Sequence, residues 1–339
     1  MRDSSGDDWP QTEATPGRFA MRGVRGPVSL YPRSMLSFIV PARSQPTETR
    51  DCLASLLNAV RVLGIEHTGE FILLDDESEA QHGLLNLFKE FRKATPQPVT
   101  IGRFKQRQHY TGVYAYGQSK ARGDNVIMIS NDMVLTPQWL RTILAVAALD
   151  PTYGIVRGTA DLVDSHPEHT YPVAFELRGP ADIEAYAHCM ETRFGLAHTV
   201  DDILSGDAVL IKRALLDRIG VFDRRFYGYF SDIDFGIRAQ RTGFKLVCAK
   251  GAWLRHYGAG HIRADVQAGK YAEEDAARKR MELVQAAFVH FRQKWDMSLP
   301  EKYTVDLPLN MERCRKAQKG KGFEYVAPVK DDPALIELA

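Results

Sequence analysis

Short apolar runs of strand length alternate with helix-length amphipathic segments from Met35 to about residue 132, and that rhythm limits the fold more than any other feature of the chain. Leu36-Ser-Phe-Ile-Val-Pro41 reads as a strand stopped by proline, and Thr49 to about Leu63 carries Cys52, Leu53, Leu56, Leu57 and Val60 at helical spacing before Gly64 ends it. Residues 70–74 give a second strand, 82–93 a helix, Val99-Thr-Ile101 a third strand, Thr111–Arg122 a weaker helix and Val126–Ile129 a fourth strand. Such alternation predicts an α/β fold with a mostly parallel central sheet flanked by crossover helices. Ligands of open α/β sheets bind beyond the carboxyl ends of the strands.

Acidic residues stand at or near those ends. Asp75 and Asp76 close Glu70-Phe-Ile-Leu-Leu-Asp-Asp76, Asp132 closes Asn125-Val-Ile-Met-Ile-Ser-Asn-Asp132, and Asp232 and Asp234 sit in Phe230-Ser-Asp-Ile-Asp-Phe-Gly-Ile-Arg238. A strand-ending carboxylate such as Asp132, next to Asn131, can hold Mg2+ or Mn2+ while the ion clamps phosphate oxygens. His256, in Trp253-Leu-Arg-His-Tyr-Gly258, can supply an imidazole as second ligand. Asp75 and Asp76 can accept hydrogen bonds from a nucleoside, and Pro41 and Arg43 at the end of the first strand can line the same crevice. Asp232 follows the aromatic Phe226-Tyr-Gly-Tyr-Phe230, which offers a dry wall beside a carboxylate able to deprotonate an acceptor hydroxyl, and Asp234 can orient the turn. Each residue also has a plainer reading. Asp132 can be a turn residue, His256 a hydrogen-bonded structural histidine, Asp75–Ser78 a helix cap, and the Asp232/Asp234 pair a helix start.

The chain of 339 residues is long enough to bury a large core, and 44 Lys plus Arg against 43 Asp plus Glu leave no global field to favour nucleic acid. Cys52, Cys189, Cys248 and Cys314 form no Cys-x-x-Cys pair, which argues against a disulfide scaffold or a structural zinc site and favours a reduced, cytoplasmic setting. No stretch approaches the roughly 20 apolar residues that span a bilayer. The polar N-terminus does not resemble a signal peptide, and peripheral membrane contact stays open.

Residues 1–34 read as a flexible arm, 35–262 as the main domain, with a nucleotide-binding half at 35–132 and an acceptor-binding half at 133–262, and 263–339 as a helical extension and tail. In the second half, Pro137–Leu149 and 181–196 read as helices, and Gly154–Arg157, Ala208–Ile211 and Phe244–Cys248 as strands, with residues 159–180 a long connection over a cleft. Ala268 to about Trp295 reads as a long helix whose stripe of Met281, Val284, Phe288 and Phe291 can brace the domain or pair with a second copy. The tail carries a basic patch of Arg313, Arg315, Lys316, Lys319 and Lys321.

In order and separation these segments resemble family 2 of the inverting glycosyltransferases, which have the GT-A fold. Ser37-Phe-Ile-Val-Pro-Ala-Arg43 is similar to the opening strand motif, Phe71-Ile-Leu-Leu-Asp-Asp-Glu-Ser78 to the Asp-Asp-x-Ser segment that holds a nucleoside, and Ser130-Asn-Asp132 to a variant of the Asp-x-Asp metal motif. Gly206-Asp-Ala-Val-Leu-Ile-Lys-Arg213, Ile219-Gly-Val-Phe-Asp-Arg-Arg-Phe226 and Tyr229-Phe-Ser-Asp-Ile-Asp-Phe235, with Arg238 and Gly243, resemble the acceptor-side signature. The resemblance implies Asp232 as base and an acceptor side formed by Gly206, Asp207, Tyr229, Phe230, Ser231 and Asp234. It departs at Ser130, where the first acid of the metal motif would stand, at Ser231 in place of a common Glu, and at Ala115 in place of Asn.

The function expected is inverting transfer from a nucleoside-diphosphate sugar, UDP-linked as first choice, to an acceptor hydroxyl with Mn2+ or Mg2+. The acceptor class stays open among saccharide, lipid-linked sugar, natural product and protein. Two alternatives remain. A sugar-nucleotide pyrophosphorylase would want a glycine-rich basic loop after the first strand, and residues 41–50 contain no glycine. A catalytically inactive binding protein of the same fold would account for Ser130, Ser231 and Ala115.

Overall fold

The computed structural model describes residues 34–163, 166–258, 273–296, 321–332 and 335–338. The expected arm at 1–34, Ser34 apart, and the basic residues Arg313, Arg315, Lys316 and Lys319 lie outside them. Strands β1 (Leu36–Ala42), β2 (Gly69–Asp76), β3 (Val99–Phe104) and β4 (Asn125–Ile129) alternate with helices α1 (Pro46–Val62), α2 (Leu84–Ala94) and α3 (His109–Lys120). β2 pairs with β1 and β3, and β1 with β4, all in parallel. Because β4 returns to the far side of β1, the sheet has its switch point between these two strands, where a crevice opens at their carboxyl ends. Packing supports the arrangement: Gly117 of α3 lies so close to β1 that an added Cβ would stand 2.5 Å from Ile39.

The second half turns the sheet mixed. β5 (Met133–Val134), α4 (Pro137–Leu149), β6 (Tyr153–Ala160), α5 (Pro180–Phe194), β7 (His198–Asp201), β8 (Ala208–Lys212), α6 (Arg213–Ile219), α7 (Ser231–Arg241) and β9 (Lys245–His256) follow in order. β8 enters antiparallel between β4 and β6, and β6 pairs in parallel with β9. The strand expected at Phe244–Cys248 runs on to His256 as one element, β9, which also receives β7 and β5 antiparallel. α8 (Glu273–Lys294) and the edge strand β10 (Leu335–Leu338), antiparallel to β3, complete the described elements.

The stripe on α8 is used within the chain. Phe288 and Phe291 pack on Phe230 with centroids 5.5 and 5.2 Å away, and Phe291 lies 6.0 Å from Phe226. Beneath these rings Asp234 is fully buried and accepts from Arg238 Nε at 2.8 Å and Trp295 Nε1 at 3.1 Å, with Lys294 Nζ 2.8 Å away. Arg238, equally buried, donates its other nitrogens to the carbonyls of Ile219 and Val221. Lys294 also reaches Asp223. Burial works against the Asp223 carboxylate, yet Arg225 and Lys294 hold it well below the usual range.

Removing one member of such a network leaves a buried charge under-compensated. Arg238→Met should therefore cost about 3–5 kcal/mol in urea unfolding. Arg238→Met combined with Asp234→Leu should recover a large part of that loss, and equal or additive losses would contradict the pairing.

Candidate active site

Register, rather than proximity in sequence, brings together the residues expected to hold a nucleoside. Ala42 pairs with Asp75 and Asp75 with Arg103, so Pro41 and Arg43 emerge beside the end of β2. Asp75 is buried; its Oδ1 accepts the Ser78 amide at 2.9 Å. Ser78 Oγ accepts the Ser44 amide at 2.8 Å, and Arg103 Nη2 donates to the Ser78 carbonyl at 2.7 Å. Asp75 Oδ2 lies 3.7 Å from Arg103 Nε and has no hydrogen-bond donor, an acceptor that a nucleoside N–H or hydroxyl would satisfy. Ser44 and Gln45 both have left-handed backbones, φ 57° and 56°, which bends the chain from the crevice into α1.

Asp76, expected in the same role, does a different job. Both its oxygens are occupied by backbone amides at the start of α3, Gln108 at 2.6 Å and His109 at 3.0 Å. Burial raises this carboxyl to about 6 against those amides and the charges of Arg107 and Arg43. Asn131 likewise donates its side-chain amide to Thr49 at 2.9 Å. It secures the turn before Asp132.

The expected metal ligands meet because β5 pairs with the end of β9. Met133 stands opposite His256, and the Tyr257 amide donates to the Asp132 carbonyl, which brings His256 Nε2 to 3.5 Å from Asp132 Oδ2. Nδ1 lies 2.9 Å from the Leu162 carbonyl. A proton shared there leaves Nε2 to face Asp132, the orientation a metal-binding imidazole needs. Burial alone would lower the His256 pKa, but Asp132, Asp207 and the Leu162 carbonyl raise it to about 9. A carboxylate and an imidazole, both nearly buried and in surroundings that favour a cation, fit a divalent ion.

Asp207, expected on the acceptor side, reaches this centre too. Its Oδ1 accepts from Ser205 at 2.8 Å, and its Oδ2 lies 4.0 Å from His256 Nδ1 and 3.8 Å from Arg157 Nη2. Gly206 beside it has no room for a side chain: an added Cβ would stand 2.2 Å from the Tyr110 hydroxyl and 3.2 Å from Asp232 Cβ. Asp232 thus lies against the Gly206–Asp207 segment, partly exposed in the first turn of α7. Burial, with the charge of Asp207, lifts its carboxyl to about 6 against the Ile233 amide.

Ser231 and Asp234, expected to face the acceptor, are corrected by the structure. Ser231 is fully buried and bonds Thr111 Oγ1 at 2.9 Å, and Asp234 belongs to the ion network beneath α8. Phe230 caps α7 with φ 64° and lies against α8, while Tyr229 and the exposed Tyr227 remain at the rim. Three residues had no assignment from sequence. Tyr110 donates to the Gly206 carbonyl at 2.7 Å, Asp161 accepts the His256 amide at 2.7 Å and pairs with Arg255, and Arg157 is a buried cation facing Asp207. Arg157 had a visible signal, a lone charge in the apolar run Gly154-Ile-Val-Arg157.

Over residues 32–280 the chain matches the family described as "Glycosyltransferase like family 2". It is 26% identical over 251 residues to the O-antigen biosynthesis protein RfbC of Myxococcus xanthus, a match that takes in 71% of this chain and 18% of RfbC. The chain therefore spans less than a fifth of that relative's length. Its fold is similar to the mannosyltransferase PcManGT from Pyrobaculum calidifontis, solved with GDP-Man and Mn2+, at TM-score 0.50 and 15% identity over 86% of this chain and 76% of that one. It is similar also to GalNAc-T7, solved with UDP, GalNAc and Mn2+, at TM-score 0.52 and 15% identity over 85% of this chain and 55% of that one. Among the described residues no helix is long and apolar enough to cross a membrane. With its family match covering residues 32–280, and with this sheet architecture, the chain belongs to the family 2 glycosyltransferases of GT-A fold.

Proposed function

We propose that the protein transfers a sugar from a nucleoside-diphosphate sugar to an acceptor hydroxyl with inversion at the anomeric carbon. The observation that carries this reading is the convergence of Asp132 and His256 with the Asp207–Asp232 pair at the carboxyl end of the sheet. The nucleoside lies between Pro41–Arg43 and Asp75, and its diphosphate extends toward Asp132. UDP is the first donor to try, from the family resemblance, and the GDP-Man bound by PcManGT makes GDP the second. A saccharide acceptor fits the aromatic rim at Tyr227 and Tyr229 and agrees with a relative named for O-antigen biosynthesis.

Asp132 and His256 would hold Mn2+ or Mg2+, which neutralises charge on the departing diphosphate. Asp232 accepts the proton of the acceptor hydroxyl as its oxygen bonds to the anomeric carbon, while the bond from that carbon to the diphosphate oxygen breaks. One displacement inverts the centre. Tyr110 and Gly206 set the depth of the Asp232 carboxylate, and the α8 rings hold Phe230, the residue that begins its helix.

Asp132→Ala should weaken UDP binding chiefly when Mn2+ or Mg2+ is present, with His256→Ala giving a smaller change of the same kind. Calorimetry with and without the ion checks this, and an unchanged metal dependence in Asp132→Ala would remove the assignment.

Asp232→Asn should keep donor binding and lower turnover by roughly 10²-fold or more, the scale of general base catalysis. In the wild type, activity should rise with pH through an apparent pKa near 6, since the base works only when ionised. Stability should run the other way. The folded value lies above the unfolded value of about 4, so the ionised group destabilises the fold as pH rises through 4–6. Asp232→Asn should therefore melt higher than wild type at pH 8 and equally at pH 4. Full turnover in the folded variant would shift the base elsewhere.

A further inference from the structure

Behind the cleft lies a second group of metal-binding side chains that the transfer reaction does not use. His169 ends a short turn at 167–169, Asp201 ends β7 and Cys248 lies in β9; their donor atoms are all within 4.8 Å of one another. All three are buried, at 3%, 8% and 0% exposure. The sheet register explains how they meet: Thr199 pairs with Cys248, and Asp201, two residues further, returns to the same face as Thr199. His169 Nε2 reaches Asp201 Oδ1 at 2.9 Å, and Cys248 Sγ lies 3.6 Å from the Gly158 carbonyl. The buried His166 ring stacks on His169 at 5.1 Å, with Glu168 3.0 Å from its Nδ1, so two more donors adjoin the group.

We propose that His169, Asp201 and Cys248 bind a structural Zn2+ ion. Thiolate, imidazole and carboxylate are its usual ligands, at about 2.0–2.3 Å, which requires donor atoms about 3–4 Å apart in a tetrahedron. The present separations need only a modest contraction. Charge also balances, because one carboxylate and one thiolate neutralise a divalent ion, as a buried site demands. Burial holds the Cys248 thiol up at about 12, so uptake of the ion releases its proton. Both His166 nitrogens are engaged, by Glu168 and by the Ile203 carbonyl, so the fourth position falls to a water molecule.

The ion would staple the 166–169 turn to β7 and β9. That turn follows Asp161 and Leu162, whose carboxylate and carbonyl hold the backbone and ring of His256. Zinc would then act on catalysis by positioning, from behind the cleft.

The test uses untagged full-length protein carrying Asp132→Ala, Cys189→Ser and Cys314→Ser, which removes the cleft metal site and two other thiols. Titration with Co2+ should give one ion per chain and a thiolate-to-cobalt charge-transfer band, displaced by Zn2+, and Zn2+ should raise the melting temperature. Adding Cys248→Ser should abolish the band and the shift; folded His169→Gln should weaken both and decides the matter if Cys248→Ser does not fold. The proposal fails if the folded protein shows no band with excess Co2+, or if the band survives Cys248→Ser.

Discussion

Strand β9 is the constraint on which the site depends. Over twelve residues it pairs in parallel with β6, accepts β7 on its other edge and ends against the two residues of β5. That last pairing is short, but it alone sets His256 opposite Met133 and so beside Asp132. A slip of one residue would present Arg255 or Tyr257 in its place and turn every side chain of the strand end to the other face. The long pairing with β6 makes such a slip costly, and Asp161 adds a second hold on the backbone of His256.

Electrostatics divides the remaining work between residues two apart. On a helix of 3.6 residues per turn, positions i and i+2 point to roughly opposite sides. Asp232 accordingly faces the cleft while Asp234 faces inward to Arg238 and Lys294. In the proposed reaction, anchoring and proton transfer are thus separated. Burial, with the repulsion of Asp207, lifts the Asp232 carboxyl to about 6 against the Ile233 amide, a value suited to the base of the proposed reaction at neutral pH. Asp132, Asp207 and Asp232 together would be unfavourable in so dry a place without Arg157 and His256 among them.

The first four strands and their helices were legible because apolar period and proline or glycine stops act locally, and the positions of Asp132 and His256 near strand ends were legible in the same way. The antiparallel insertion of β8 was not, since a buried run such as Ala208–Ile211 carries no mark of its direction. Asp76 and Asp234 were assigned by type and position, but competition for carboxylates between helix amides, cations and ligands is settled only in three dimensions. Cysteine spacing, which argued against structural zinc, can register only ligands close in sequence, and the group proposed to bind the ion is of another kind. His169, Asp201 and Cys248 come from three segments joined by sheet register.

The departures from the family pattern take on a different meaning in this setting. Ser231 and Ala115 are both fully buried, Ser231 bonded to Thr111 across the α3–α7 joint and Ala115 in the apolar core. A glutamate or an asparagine at those points, in this packing, would need a buried partner that the neighbouring side chains do not supply. Both residues thus serve the packing between the helix that Asp76 caps and the helix that carries Asp232. Ser130 differs in kind. Its amide donates to the Asp207 carbonyl, so the place of the missing acid is the point where the metal-side turn is tied to the acceptor-side strand. In the proposed reaction, one negative charge fewer at that turn would leave a bound cation to Asp132 and His256, while the Ser130–Asp207 hydrogen bond ties the two turns together.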